Sequence, residues 1–368
     1  MRIFFAVPRS AWVDLNLRRS LEDMGHQLVR FDFPGWPDDA DADWQAHGKP
    51  RTNQKLVNAF RAAGRLDLFF GYFYSSVVYP ETIRQIKQSG VPIVNFSCNN
   101  VHQFELVREI APEFDLCVVP EQAAQADFER VGARPVRIQL AANPRVYRPM
   151  PVPRSYEVTF VGQRYADRAE LLGHLHANGV AVRAWGAGWQ ARKRLDVAQL
   201  KAGLALLEDE RWDGIRRLLR SRLGAAVATT HSSDTVDTSA FGGPRLLQRD
   251  LVTMFSRSRL SLGFATAGDS HRSAQRLTHL RLREFEAPMS GALYLTEQQQ
   301  ELAEYFTPGQ EVLTYTDRDD LLDKARYYLA HHEQAERVRR AAFERARRQH
   351  TWQHRFAELF ARLGIRAT

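Results

Sequence analysis

Five short apolar runs separated by helix-length segments fill the chain up to residue 119, and this alternation constrains the fold more than any other property of the sequence. The runs fall at 3–7, 27–31, 66–70, 91–96 and 116–119. Parallel strands need a crossover of a dozen or more residues between them, usually a helix, and strands buried on both faces are apolar throughout instead of alternating. Asp67-Leu-Phe-Phe70 has that second character. The pattern therefore predicts βαβ units and a mainly parallel α/β sheet. Pro144, Pro149, Pro151 and Pro153 then break any regular element. Beyond them the pattern restarts, with a strand at 156–162, a helix at 166–178 and a strand at 180–185.

Two similar sheets in succession imply a cleft between them. The expected division is a first domain over 1–150, a second over 151–350, and a C-terminal helix over 351–368 that packs back across the domains. Within the second domain, 195–240 reads as a helical insertion: Leu200, Leu204, Leu207, Ile215, Leu218 and Leu223 recur at roughly helical spacing. It either packs on its own domain or offers a face to a partner, an acceptor or an anionic membrane surface. The stretch 231–243 reads as a loop, and further strands are expected at 259–264 and near 311–315.

No apolar run approaches the roughly 20 residues of a membrane span, and the first residues lack the features of a signal peptide, so a soluble, cytoplasmic protein is expected. Cys98 and Cys117 are the only cysteines, too few for a disulfide framework or a zinc cluster. The formal charge of +8 favours polyanionic partners. Nucleotide diphosphates and peripheral contact with an anionic membrane fit it. Nucleic acid fits less well, because zinc-finger spacing, an RNP-type aromatic motif and a long Lys/Arg block are all missing.

The chemistry concentrates in Arg281-Leu-Arg-Glu-Phe-Glu-Ala-Pro-Met-Ser-Gly291, a helix running directly into the apolar segment 292–295. In a doubly wound sheet, ligands bind where strand and helix ends face the crevice, and a carboxylate there accepts ribose hydroxyls. Glu286 is the candidate, with arginines beside it for phosphates. The acidic loop 38–43 contains an Asp-x-Asp spacing but reads as a solvated, Pro-flanked loop and not as a metal site.

Several landmarks share one order and spacing: Phe160-Val-Gly-Gln-Arg164, Gly186-Ala-Gly-Trp189, Ser258-Arg-Leu-Ser-Leu262, Arg283-Glu-Phe-Glu-Ala-Pro-Met-Ser-Gly291, Tyr305-Phe-Thr-Pro-Gly-Gln-Glu311, Tyr327-Tyr-Leu329 and His350-Thr-Trp352. Together they resemble the CgeB-like, or spore-maturation-type, glycosyltransferases of the GT-B fold. The resemblance implies two Rossmann-like α/β domains facing an interdomain cleft. It also implies transfer of a sugar from a nucleotide-diphosphate donor to a glycan, protein or small-molecule acceptor, with no cofactor and no metal. In this light Glu286 looks like the ribose-binding glutamate, and Arg283 like the basic residue before it, serving phosphate or else an ordinary helix salt bridge. Gly162 and Arg164 occupy the first βα turn of the second domain, where glycine permits backbone approach and arginine reaches phosphate. Gly186 closes the next strand. Ser290 and Gly291 bring backbone donors near the nucleotide, or form a helix C-cap.

One departure stands out. Many retaining relatives carry a second glutamate eight positions before the ribose-binding one, and Thr278 stands there; Glu284 lies on a different face of the helix from Glu286. For the base that takes the acceptor proton, the first domain offers His102 and Asp14, with Glu105 one turn from His102. Two other classes fit the same residues: a catalytically silent nucleotide-sugar or partner-binding protein, and a nucleic-acid module. Sugar-nucleotide epimerisation would need further acid and base groups.

Overall fold

The structure, a computed structural model, describes residues 1–34, 42–190, 236–268, 270–272 and 276–365. The first sheet contains β1 (Arg2–Pro8), β2 (Gln27–Phe33), β3 (Leu68–Gly71), β4 (Ile93–Phe96), β5 (Leu116–Val118) and β6 (Pro135–Val136). Their order is β2-β1-β3-β4-β5-β6, and every pairing is parallel. The register places Phe4 opposite Phe69 and Phe5 opposite Phe70. Successive residues point to opposite faces, so one ring pair stacks on each side of the sheet, at 5.4 and 5.7 Å between centroids. This explains the apolar runs of β1, β3 and β4, which are covered on both faces, whereas the edge strand β2 exposes Gln27, Arg30 and Asp32.

The second sheet contains β7 (Tyr156–Val161), β8 (Val182–Trp185), β9 (Gly242–Gly243), β10 (Ser258–Leu262), β11 (Tyr294–Glu297) and β12 (Leu313–Tyr315), ordered β12-β11-β10-β7-β8-β9 and parallel. Most strand ends shift by one or two residues from the sequence expectation. β6 and β9 escape it altogether, because two residues carry no period. The expected insertion lies outside the described residues over 195–235, as does the acidic loop over 38–41.

Among the helices, α1 (Pro80–Lys87) starts with proline at its first position and buries Ile83 and Ile86. In the second half run α2 (Arg168–Ala177), α3 (Gln248–Arg257), α4 (Arg283–Met289), α5 (Arg318–Ala330), α6 (His332–Gln349) and α7 (Trp352–Arg362). Asp317 caps α5 by accepting from the backbone N–H groups of Asp319 and Asp320. No helix among the described residues is long and apolar enough to cross a membrane.

Helix α7 packs on the first sheet, not the second. The Trp352 ring meets Trp12 at 5.8 Å and Phe96 at 5.9 Å, and Phe356 meets Phe70 at 5.8 Å. Arg355 Nε donates to the Gln139 carbonyl at 3.0 Å, and Ala142 bridges to Thr351. The chain thus passes between the sheets twice, near 143–155 and again at 350.

His350, 4% exposed, sits at the second passage, donating from Nε2 to the Tyr305 carbonyl at 2.7 Å. Burial, reinforced by the Arg355 charge, lowers its pKa to about 4 from 6.5. Because the unfolded chain binds the proton more tightly, stability is complete above pH 6.5 and falls as the pH drops toward 4. The expected loss is up to about 3 kcal/mol. It is read from urea midpoints at pH 7 and 4.5, and His350→Gln should flatten the dependence; an unchanged slope refutes the assignment.

Candidate functional site

In an open parallel sheet the crevice lies outside the carboxyl ends of the strands where the order reverses, here between β7 and β10. A cavity of about 230 Å³ opens beside that point, lined among others by Gly162, Trp185, Gly186, Arg245, Gln248 and Arg283. The glycines are required by contact. A Cβ on Gly186, whose φ is +150°, would overlap the Gly162 carbonyl oxygen, so the loops after β7 and β8 meet backbone to backbone. The Gly162 N–H donates to the Trp185 carbonyl at 2.9 Å, and the Trp189 indole donates to the Gly162 carbonyl at 2.7 Å.

Glu286 lies one turn along α4 from Arg283 and is fully buried behind it. Its Oε1 accepts from the Tyr147 hydroxyl at 2.6 Å, and its Oε2 is ion-paired with Arg283, whose side chain is 30% exposed. Burial, the largest single influence, depresses the Arg283 pKa, but the charge and hydrogen bond of Glu286 together with Tyr147 and Tyr294 raise it overall. Burial, then the Glu286 charge, pushes the Tyr147 phenol well above 10. The arginine therefore stands between the carboxylate and the cavity.

Three expected residues point elsewhere. The Arg164 guanidinium reaches the Val236 carbonyl at 3.2 Å and Thr238 Oγ1 at 3.4 Å, and Gln163 lines the cavity instead. Ser290 and Gly291 cap the far end of α4: Ser290 Oγ donates to the Glu286 carbonyl at 2.8 Å, and a Cβ on Gly291 (φ +74°) would lie 3.0 Å from Pro149. The reason is topological. In a parallel unit the helix begins at the crevice and runs back to the opposite edge, so its C-terminus faces away from the ligand side. Glu284 is buried and turned inward, accepting from Thr296 Oγ1 and the Arg281 N–H, and burial raises its pKa to about 7.

A second cavity, of about 320 Å³, lies between the sheets, lined by Val101, Glu121 and Gln122 from the first and Thr278, His279 and Gln299 from the second, with others. His102, exposed on the one-turn helix Asn100–Gln103 after β4, faces the His279 ring at 5.7 Å. Burial, then the Arg281 charge, holds the His102 pKa below the ordinary histidine value. Burial first, then Arg281, His102 and Arg168, hold that of His279 well below it. Both rings are thus neutral at neutral pH. His279 is 1% exposed, and neither of its nitrogens has a hydrogen-bond partner among the described residues. Such a group is costly unless something binds it. Nothing in the sequence singled it out.

Asp14 is held by Arg18 at 2.8 Å and by Arg30 of the edge strand β2 at 3.4 Å. Strands β1 and β3 lie between that edge and the strand preceding His102, so the two candidate bases are not brought together. Glu105 is exposed and paired with Arg108, not with His102. Cys98 and Cys117 are unbridged, and burial pushes both thiols up to about 12.

The sequence matches a family model described as glycosyl transferase-like over residues 167–361. Among solved structures, a sucrose-phosphate synthase from Thermosynechococcus elongatus aligns over 99% of both chains at 13% identity, with a TM-score of 0.60. Anabaena HepE in complex with UDP-glucose aligns over 99% of both chains at 12% identity and 0.57. An alpha-glucosyltransferase in complex with UDP-glucose and DNA containing an abasic site covers 99% of both at 10% identity and 0.63. No curated protein matches the sequence. The two parallel-sheet α/β domains are those of GT-B structures.

Proposed function

This chain belongs to the glycosyl transferase-like family and is a glycosyltransferase of the GT-B fold, and from that premise we propose that it is of the CgeB-like type and transfers a sugar without a metal from a nucleotide-diphosphate donor held by its second domain. The convergence of Gly162, Gly186 and Arg283 on one cavity directly in front of Glu286 carries the reading. The nucleotide enters there. Arg283 turns from Glu286 to the diphosphate, and Glu286 takes the ribose hydroxyls. Arg245 and Arg283 supply the positive charge that a departing diphosphate needs.

The sugar extends into the interdomain cavity, where hydroxyls satisfy the unpartnered His279 nitrogens. His102, neutral and beside it, accepts the proton of the acceptor hydroxyl as the bond to C1 of the sugar forms. The acceptor is a glycan, a protein or a small molecule. Two unbridged cysteines fit a cytoplasmic setting.

A thermal-shift panel of nucleoside diphosphates, followed by turnover of the matching sugar donors, tests the reading; a protein that binds none of them overturns it. His102→Ala is expected to lower kcat by about 10²–10⁴-fold without weakening nucleotide binding. The acid limb of the pH profile should lie below the ordinary histidine value of 6.5, since activity is lost only when His102 gains a proton at its depressed pKa. A limb above 6.5, or full activity in the alanine variant, removes His102 as the base.

A further inference from the structure

Tyr147 lies in the first passage between the sheets and is fully buried. Three polar side chains surround its hydroxyl: Glu286 Oε1 at 2.6 Å, Asn16 Nδ2 at 3.4 Å, and Gln248 Nε2. A phenol has one proton and two lone pairs. Asn16 and Gln248 both present N–H donors, so they occupy the lone pairs and leave the proton one acceptor, Glu286. The direction of that bond is therefore set by its neighbours.

The three partners come from different parts of the molecule. Asn16 belongs to the helical segment after β1, and its Oδ1 accepts from the Asn143 N–H at 3.3 Å, while Asn143 Nδ2 donates to the Leu15 carbonyl at 2.9 Å. Gln248 opens α3 and lines the nucleotide cavity. Glu286 has its second oxygen on Arg283, the group that moves when a diphosphate arrives in the reading above.

We infer that Tyr147 is a positioning residue for ribose recognition: its hydroxyl pins Glu286 Oε1, so that when Arg283 leaves, the carboxylate keeps its orientation and receives the ribose hydroxyls. The inference rests on the assignment of Glu286 as the ribose acceptor. Pinning removes the rotamer freedom that a released glutamate would regain, and ordering before binding is what raises affinity. Because Asn16 shares the hydroxyl, the carboxylate is also tied to the first domain.

The test is the ratio of affinities for ribose and 2′-deoxyribose forms of uridine, adenosine and guanosine diphosphate, measured by titration calorimetry on the full chain. The ratio cancels contacts to base and phosphate, and a purely structural role would not move it. Tyr147→Phe, which keeps the ring and loses only the hydroxyl, is expected to reduce the ribose preference about tenfold. Gln248→Leu, which loosens the hydroxyl from the other side, should reduce it in the same direction and serves should Tyr147→Phe fail to fold. If Glu286→Gln lowers the preference while both of these leave it unchanged, the positioning role is overturned and the ribose assignment stands. If Glu286→Gln leaves it unchanged, or no diphosphate binds, the underlying assignment falls and this inference with it.

Discussion

Glu286→Gln is expected to weaken binding of ribonucleoside diphosphates by about 10–100-fold, with transfer falling at least as far. Glutamine preserves the shape and still offers an oxygen to Tyr147, but it removes the charge that pairs with Arg283 and that accepts strongly from ribose hydroxyls. Alanine is the harsher change, since it leaves the buried Tyr147 hydroxyl and the cavity-lining Arg283 guanidinium without their partner. A cost of about 1–3 kcal/mol in stability is expected for it. Calorimetry and turnover of the folded glutamine variant decide the matter, and unchanged affinity with unchanged turnover would remove Glu286 from the donor site.

Phe356→Ala should destabilise the protein by about 3–5 kcal/mol. The side chain is 2% exposed and sits between Phe70 of β3, Trp352 and Phe360, so its removal opens a void under the first sheet. Trp12 and Trp352 lie in the same aromatic cluster and contribute to the fluorescence change on denaturant unfolding. A midpoint shift worth under about 1 kcal/mol would mean that α7 is merely apposed to that sheet.

Both sheets were legible because buried parallel strands are written as apolar runs spaced by helices. The attachment of α7 was only partly so: Trp352, Phe356 and Leu359 announce an apolar face, but nothing in their spacing says which sheet it meets. At the site, Gly162 and Gly186 were readable because each follows a strand, and a close loop contact demands glycine. Arg164, Ser290 and Gly291 were placed on the ligand side by proximity in sequence, whereas the direction of α4 puts the last two at the opposite edge of the sheet. Tyr147 and His279 carried no signal. One stands among prolines and the other in a polar stretch, and their importance arises from partners, or the lack of them, that only the folded chain brings near.

The placement of α7 also bears on how the protein is made. The last strand of the first sheet ends at Val136, but the helix that covers the sheet begins at Trp352. At roughly 5–20 residues per second, a ribosome takes about 10–40 seconds to bridge that distance. During that interval the aromatic floor formed by Phe70 and Phe96 has emerged without its cover. The first sheet is therefore completed by a helix that leaves the tunnel long after its own strands, and it depends meanwhile on whatever shields exposed apolar surface on a nascent chain.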